Sequence, residues 1–576
     1  KIIGARTYIG VSARDLDGHG THVSSIAAGN EVSGASYYGL AQGVARGGVP
    51  SARIATYKAC KHFCSDVNLL AAFDDAIADG VDIINISLAP DLPLDVSDDA
   101  IAIGAYHAME KGILTVNCAG NSPSGPSMFS IASFVPWILT VAASDIDRRL
   151  VDMVLLGDGS VLVGASINTF PSSEGESPLV YGEEVTNNCT ETDAKNCKEG
   201  CVESSRVHQK VVICNINASI EVVTKAGALG CIIPNRGKNF SEVMPLPVAA
   251  LSENDFNLVI NYKTSTKKPE VKIFKSEAIR NPAAPLVASS SSRGPSMLMP
   301  DIVKPDVTAP GIEILAAFSP LASPSASFYD KRSVKYNILS ETSVSCPHVA
   351  AAAAYVKSFH PEWSPSAIKS ALMTTARTMD PTHNSYAEFA YGSGHIDPVK
   401  AIDPGLVYDT SMDDYHKIWC HESNSVANFT LLNGTCTPVK LKVTEINYPS
   451  MAAHVKLQST FAVSFLRTVT NVGRANASYV SSVTKGSSKL QYTVQPKRLH
   501  FTSHNQKMSF VVTVKGKIES QLTIESASLL WRDESHNVRS PVVVYTGTSI
   551  FRGEGASTPP RFLVAFVILL LVVFLY

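Results

Sequence analysis

The chain has almost no net charge. Its 49 lysines and arginines stand against 51 aspartates and glutamates, leaving −2 at pH 7, and no long basic run breaks the balance. Nothing therefore calls for nucleic acid or an anionic membrane as partner. The repeated paired cysteine spacing of a zinc module is also missing, and no metal is expected from the 11 cysteines. There is no internal repeat, no initiator methionine and no signal peptide, so the front end is expected to have been removed by processing or left out of an incomplete sequence. Long apolar runs are absent until residues 562–576. At ~1.5 Å per residue those 15 residues reach roughly 22 Å as a helix, short of the ~30 Å hydrocarbon core, so a full membrane span is not expected. A cleaved glycolipid-anchor signal, using the small residues Gly553, Gly555, Ala556 and Ser557, and a misread terminal exon are both open readings of this tail.

What is present describes a folded, oxidised protein. Hydrophobic residues make up 45% of the 576 and charged ones 17%, too apolar for a disordered chain and enough for two or three domains. Cys189, Cys197, Cys201, Cys214 and Cys231 crowd one region, and Asn-x-Ser/Thr acceptors begin at Asn188, Asn217, Asn239, Asn428, Asn433 and Asn476. Both point to secretion and disulfides. Asn85 also matches but lies in an apolar strand-like run and is discounted. Since the cysteine count is odd, one thiol must stay unpaired, and Cys346 is the candidate, read as a small buried apolar residue.

The pattern of apolar residues predicts strands at 54–57, 81–88, 113–117 and 137–142, alternating with helices at 68–79 and 100–111, as in a parallel α/β sheet. From 171 to 279 cysteines, acceptor sites and short β-rich runs suggest an inserted module. Helical texture resumes near 291, with a helix beginning at Ser364-Pro365. Short strands over 446–548 suggest a β-sandwich.

Two motifs carry the chemistry. Residues 340–348 read Ser-Glu-Thr-Ser-Val-Ser-Cys-Pro-His and run into an alanine-rich stretch, which places Ser343 at the mouth of a helix. There, backbone N–H groups are free and negative charge is favoured. Residues 17–22 read Asp-Gly-His-Gly-Thr-His, where His19 lies between glycines that allow close approach of another segment. A serine nucleophile and a histidine base predict acyl transfer. Asn121, after the strand at 113–117, is placed to donate to an oxyanion, and Ser87, Leu88 and Ala89, at another strand end, to pair with an extended substrate.

These residues resemble the subtilisin-like serine peptidases, specifically the plant cucumisin-like branch, over residues 1 to about 548. Asp17 to His22 resembles the family's histidine motif, Ala119 to Ser122 its oxyanion motif, and Thr342-Ser343 with Ser345 to His348 its serine motif. Ser291 to Pro295 and Lys304 to Gly311 resemble its connecting segment. The resemblance implies a doubly wound parallel α/β sheet, an inserted protease-associated β-rich domain and a C-terminal fibronectin type III-like sandwich. The division it implies is catalytic domain at 1–170 and 280–412, insertion at 171–279, linker at 413–445, sandwich at 446–548 and tail at 549–576. It implies a secreted endopeptidase of the cell wall or apoplast acting on protein or peptide substrates, without cofactor or calcium. An outer plasma-membrane location by a lipid anchor is the alternative.

The chain departs from the family pattern at several places. No Asp-Thr/Ser-Gly motif precedes His19, so the catalytic aspartate is expected not to be in this chain. Glu341 replaces the glycine before Thr-Ser, Val344 a methionine, and Ala89 and Ala351 glycines. A catalytically inactive homologue that binds peptides as a scaffold is therefore the competing reading.

Overall fold

The computed structural model describes the chain except residues 62, 91–92, 123–124, 172–174, 187, 218, 239, 326, 423–429, 432–433, 436–442, 487–488, 548–570 and 576. The acceptor sites at Asn239, Asn428 and Asn433, much of the 413–445 linker, and the tail through 570 lie outside the described residues.

The central sheet is built from β1 (Ile2–Thr7), β2 (Arg53–Lys58), β3 (Ile83–Ile86), β4 (Leu114–Cys118), β5 (Ile138–Ser144), β6 (Val307–Pro310) and β7 (Leu571–Leu575). Its order is β1-β2-β7-β3-β4-β5-β6. Every pairing is parallel except those of β7, which lies antiparallel between β2 and β3. β3, β4 and β5 are buried at every position, as continuous apolar runs covered on both faces must be.

The helices α1 (His19–Ala28), α2 (Asp66–Ala78), α3 (Ala100–Glu110), α4 (Thr342–Phe359) and α5 (Pro365–Thr374) supply the cover. α1 packs on α4 and α2 on α3, giving a doubly wound α/β layer structure. α4 reaches deep into the core because Ala350 to Ala354 are all buried and small. α2, α3 and α5 start on side-chain caps from Ser65, Asp99 and Ser364, and Pro365 takes the first position of α5 as its sequence suggests.

A second sheet of eight strands follows. It includes Arg148–Leu156 and Val161–Gly164, so its pairing begins before residue 171. It also carries one 13-residue helix, Glu253–Ser265. Disulfides Cys189–Cys201 and Cys197–Cys214 tie this region, and Cys60–Cys64 a loop of the first. Cys346 is free and buried, and so are Cys118 and Cys231. Asn188, Asn217 and Asn476 are exposed, whereas Asn85 is buried in β3.

The C-terminal sandwich packs a four-stranded sheet on a five-stranded one. Phe465, Phe510 and Trp531 fill the space between them. Among the described residues no helix is long and apolar enough to cross a membrane.

Candidate active site

Two helix N-termini converge. His19 is the first residue of α1 and Ser343 the second of α4, and His19 Nε2 lies 2.9 Å from Ser343 Oγ although 324 residues separate them. His19 is 6% and Ser343 3% exposed, so the pair is largely shielded from water.

The backbone before α1 explains how the histidine gets there. Gly18 has φ of 95°, and a Cβ on it would fall 2.2 Å from the ring of Phe318. Only glycine fits that left-handed turn under an aromatic ring. Asp15 closes the turn, accepting from the backbone N–H groups of Asp17, Gly18 and Thr21 and from the Thr21 hydroxyl. Burial pushes the Asp15 carboxyl up, but those bonds outweigh it and hold it below the usual range. Asp17 goes the other way: burial raises it, with Asp15 and Glu341 adding to the rise and His19 opposing.

α4 is anchored by Gly311, whose position a Cβ would bring within 2.8 Å of the Glu341 carbonyl oxygen. Pro347 lies inside the helix, and its missing N–H leaves the Ser343 carbonyl without the usual donor four residues on.

Asn121 faces Ser343's neighbour. Its Oδ1 accepts from Thr342 N at 3.1 Å and Thr342 Oγ1 at 2.8 Å. With the oxygen held, the amide's Nδ2 is the end left to donate. Ser87 and Leu88 follow β3 and are buried, Ser87 Oγ accepting from Asn85 Nδ2 at 3.1 Å, while Ala89 is partly exposed beside Gly120. The Ser87 and Leu88 side chains thus face inward, and only backbone groups there could meet an extended peptide.

Two features break the symmetry of the pair. His19 Nδ1 is buried without a hydrogen-bond partner among the described residues. Glu341, the N-cap residue of α4, makes no cap bond, and its Oε2 instead accepts from Ser343 Oγ at 2.8 Å. Sequence reasoning named Glu341 but not this bond. It also missed Thr342 as the residue that orients Asn121, and Arg236, Lys238, Phe240 and Glu242 of the inserted module, which line a cleft of about 670 Å³ with Asn121, Ser340 and Glu341. No local signal announces such contacts. Among the described residues no cluster of side chains could hold a metal ion.

A serine hydroxyl and an imidazole, shielded at two helix mouths with an amide donor alongside, form the arrangement of a serine hydrolase. The profile described as "Subtilase family" matches residues 8–394, and that described as "Fibronectin type-III domain" matches residues 445–544. Subtilisin-like protease SBT4.3 of Arabidopsis thaliana is 49% identical over 95% of this chain and 76% of its own length. Subtilisin-like protease SBT4.6 of the same plant is 48% identical over 95% and 76%. Among solved structures, Sphericase matches 68% of this chain and 82% of its own at 18% identity, with a TM-score of 0.35. The chain belongs to the subtilase family of subtilisin-like serine proteases, in its plant cucumisin-like branch.

Proposed function

We propose that the chain is a secreted endopeptidase that hydrolyses peptide bonds through an acyl-enzyme on Ser343. Ser343 Oγ attacks the scissile carbonyl carbon while His19 Nε2 takes the hydroxyl proton. The C–N bond then breaks, the proton passes from His19 to the leaving amine, and an ester links Oγ to the acyl group. Water, deprotonated by the same nitrogen, hydrolyses the ester and returns the proton to Oγ. Asn121 Nδ2 and the first N–H groups of α4 meet the negative oxygen of both tetrahedral species, a kind of contact worth ~10²–10³ in turnover. Ser87 to Ala89 offer backbone groups to an extended substrate. The observation that carries the reading is the 2.9 Å contact between His19 Nε2 and Ser343 Oγ.

The orienting aspartate is proposed to be absent from this chain, which the unpartnered His19 Nδ1 supports. In subtilisin, loss of that group alone costs about 3 × 10⁴ in turnover. Secretion is supported by the disulfides Cys60–Cys64, Cys189–Cys201 and Cys197–Cys214 and by exposed Asn188, Asn217 and Asn476. Cell wall or apoplast is the proposed location, with a lipid-anchored outer surface as the alternative. The domains are proposed to be the catalytic part at 1–170 and 280–412, the insertion at 171–279 and the sandwich at 446–548, with strands Arg148–Leu156 and Val161–Gly164 of the catalytic part completing the insertion's sheet.

A second reading, an inactive scaffold that binds peptides, draws on the bond from Ser343 Oγ to Glu341. A fluorophosphonate probe separates the two. The folded chain is expected to label at Ser343, and Ser343→Ala to abolish labelling and lower the residual peptide hydrolysis by roughly two orders of magnitude. A folded chain that does not label is a scaffold.

A further inference from the structure

Ser343 has one hydroxyl proton and two acceptors within reach. Its Oγ lies 2.8 Å from Glu341 Oε2 and 2.9 Å from His19 Nε2. When the proton points to Glu341, it is unavailable to His19. The carboxylate also brings negative charge to the place where the oxyanion forms, opposing Asn121 and the α4 N-terminus.

The carboxylate itself has no cationic partner among the described residues. Asp17 feels its charge and adds to the negative field, while the buried Cys118 thiol, pushed up to about 12 chiefly by burial, stays neutral and offers it no counter-charge. Across the cleft, the inserted module contributes Arg236, Lys238 and Glu242. Both of its cations are engaged on their own side: the Arg236 guanidinium donates to Asn215 O at 2.8 Å, and Lys238 pairs with Glu242 at 2.7 Å. Neither is bonded to Glu341, which is therefore an uncompensated carboxylate at the wall nearest Ser343.

We infer that Glu341 makes the protease selective for a substrate carrying lysine or arginine in the cleft beside Ser343, because that cation both pairs with the carboxylate and releases the serine proton to His19. The inference rests on the reading of Ser343 and His19 as the catalytic pair. An ammonium or guanidinium group entering between Asn121 and Glu341 draws Oε2 away from Oγ, leaving His19 Nε2 as the acceptor. It also neutralises the charge that opposes the oxyanion. A phenylalanine does neither, so discrimination appears in kcat as well as in KM. An acidic side chain would be repelled by Glu341 and drawn to Arg236.

The test is binding, so that it stands apart from turnover. Blocked peptide amides that differ only in Lys, Arg, Phe or Glu at the residue entering the cleft are titrated into the full chain carrying Ser343→Ala. Lys and Arg peptides are expected to bind at least tenfold tighter than Phe. In the double variant Ser343→Ala, Glu341→Gln, which keeps the shape of the side chain, the ratio should fall to within twofold. Phe or Glu peptides that bind as tightly as Lys, or a cation preference that survives Glu341→Gln, overturn the inference. Failure of Ser343 to label with fluorophosphonate removes the protease reading without touching this result.

Discussion

At the scale of single residues, the helix that carries His19 also holds a second buried histidine. His22 is fully buried, donates from Nε2 to Ile314 O at 3.0 Å, and has no partner on Nδ1. Burial first, then the nearby His19, lowers it to about 3. A second proton on Nδ1 would find no acceptor. In the folded chain the group thus binds fewer protons than in the unfolded chain wherever pH lies between about 3 and the ordinary value near ~6.5. Its stabilising contribution is present above ~6.5 and is lost as pH falls through that window, by about 1.4 kcal/mol per pH unit. Chemical denaturation of His22→Gln from pH 6.5 to 4 is expected to show a shallower acid limb than the parent, by about that slope. An unchanged limb would mean that His22 titrates normally. Gly18 shows the same economy of position, since its left-handed turn under Phe318 is what delivers His19 to Ser343.

At the scale of elements, the alternation of apolar runs with helical periodicity was legible wherever a segment obeys its own pattern. The strand expected at 137–142 is β5, and the helix at 100–111 is α3. The Ser364-Pro365 start was legible because a cap is local chemistry. What could not be read is pairing that depends on distant segments. The apolar tail left an anchor signal and a misread exon open, and neither reading offers a pairing partner, whereas residues 571–575 form β7, hydrogen-bonded on both sides. An antiparallel strand can enter from the far end of a parallel sheet without a crossover helix, and the sequence Leu-Val-Val-Phe-Leu suits a central slot. Deleting residues 562–576 leaves facing edges of β2 and β3 unpaired. Amide hydrogen exchange at 54–57 and 83–86 is expected to accelerate by an order of magnitude or more in that truncation, with a lower Tm. Unchanged protection in both strands would show that β7 contributes nothing to the sheet.

At the scale of the whole molecule, the candidate site was legible in its members and opaque in its settings. Ser343, His19 and Asn121 stand out because motif chemistry is local, whereas the Glu341 bond depends on the side-chain geometry at the mouth of α4, and the wall given by Arg236 and Lys238 arises from packing between distant segments. The same holds for the joint between the peptidase layer and the sandwich. Lys304 and Asp306 form a fully buried pair at 2.7 Å, beside Thr140 of β5. Tyr448, from the segment leading into the sandwich, donates its hydroxyl to Asp306 Oδ1. Its own carbonyl accepts from Arg467, a buried residue of the sandwich, at 2.8 Å. Burial keeps the Tyr448 phenol far above its ordinary value, so it remains a donor. One residue thus connects the floor of the catalytic sheet to the first sheet of the sandwich. Tyr448→Phe keeps the ring and removes the donor, leaving one oxygen of a buried carboxylate short of a partner. Such a loss costs about 1–3 kcal/mol. Thermal unfolding of Tyr448→Phe is expected to begin several degrees lower, and limited proteolysis should cut first between the catalytic layer and the sandwich. If the joint were held by apolar packing alone, neither the Tm nor the first cleavage site would change, because phenylalanine preserves every contact the ring makes.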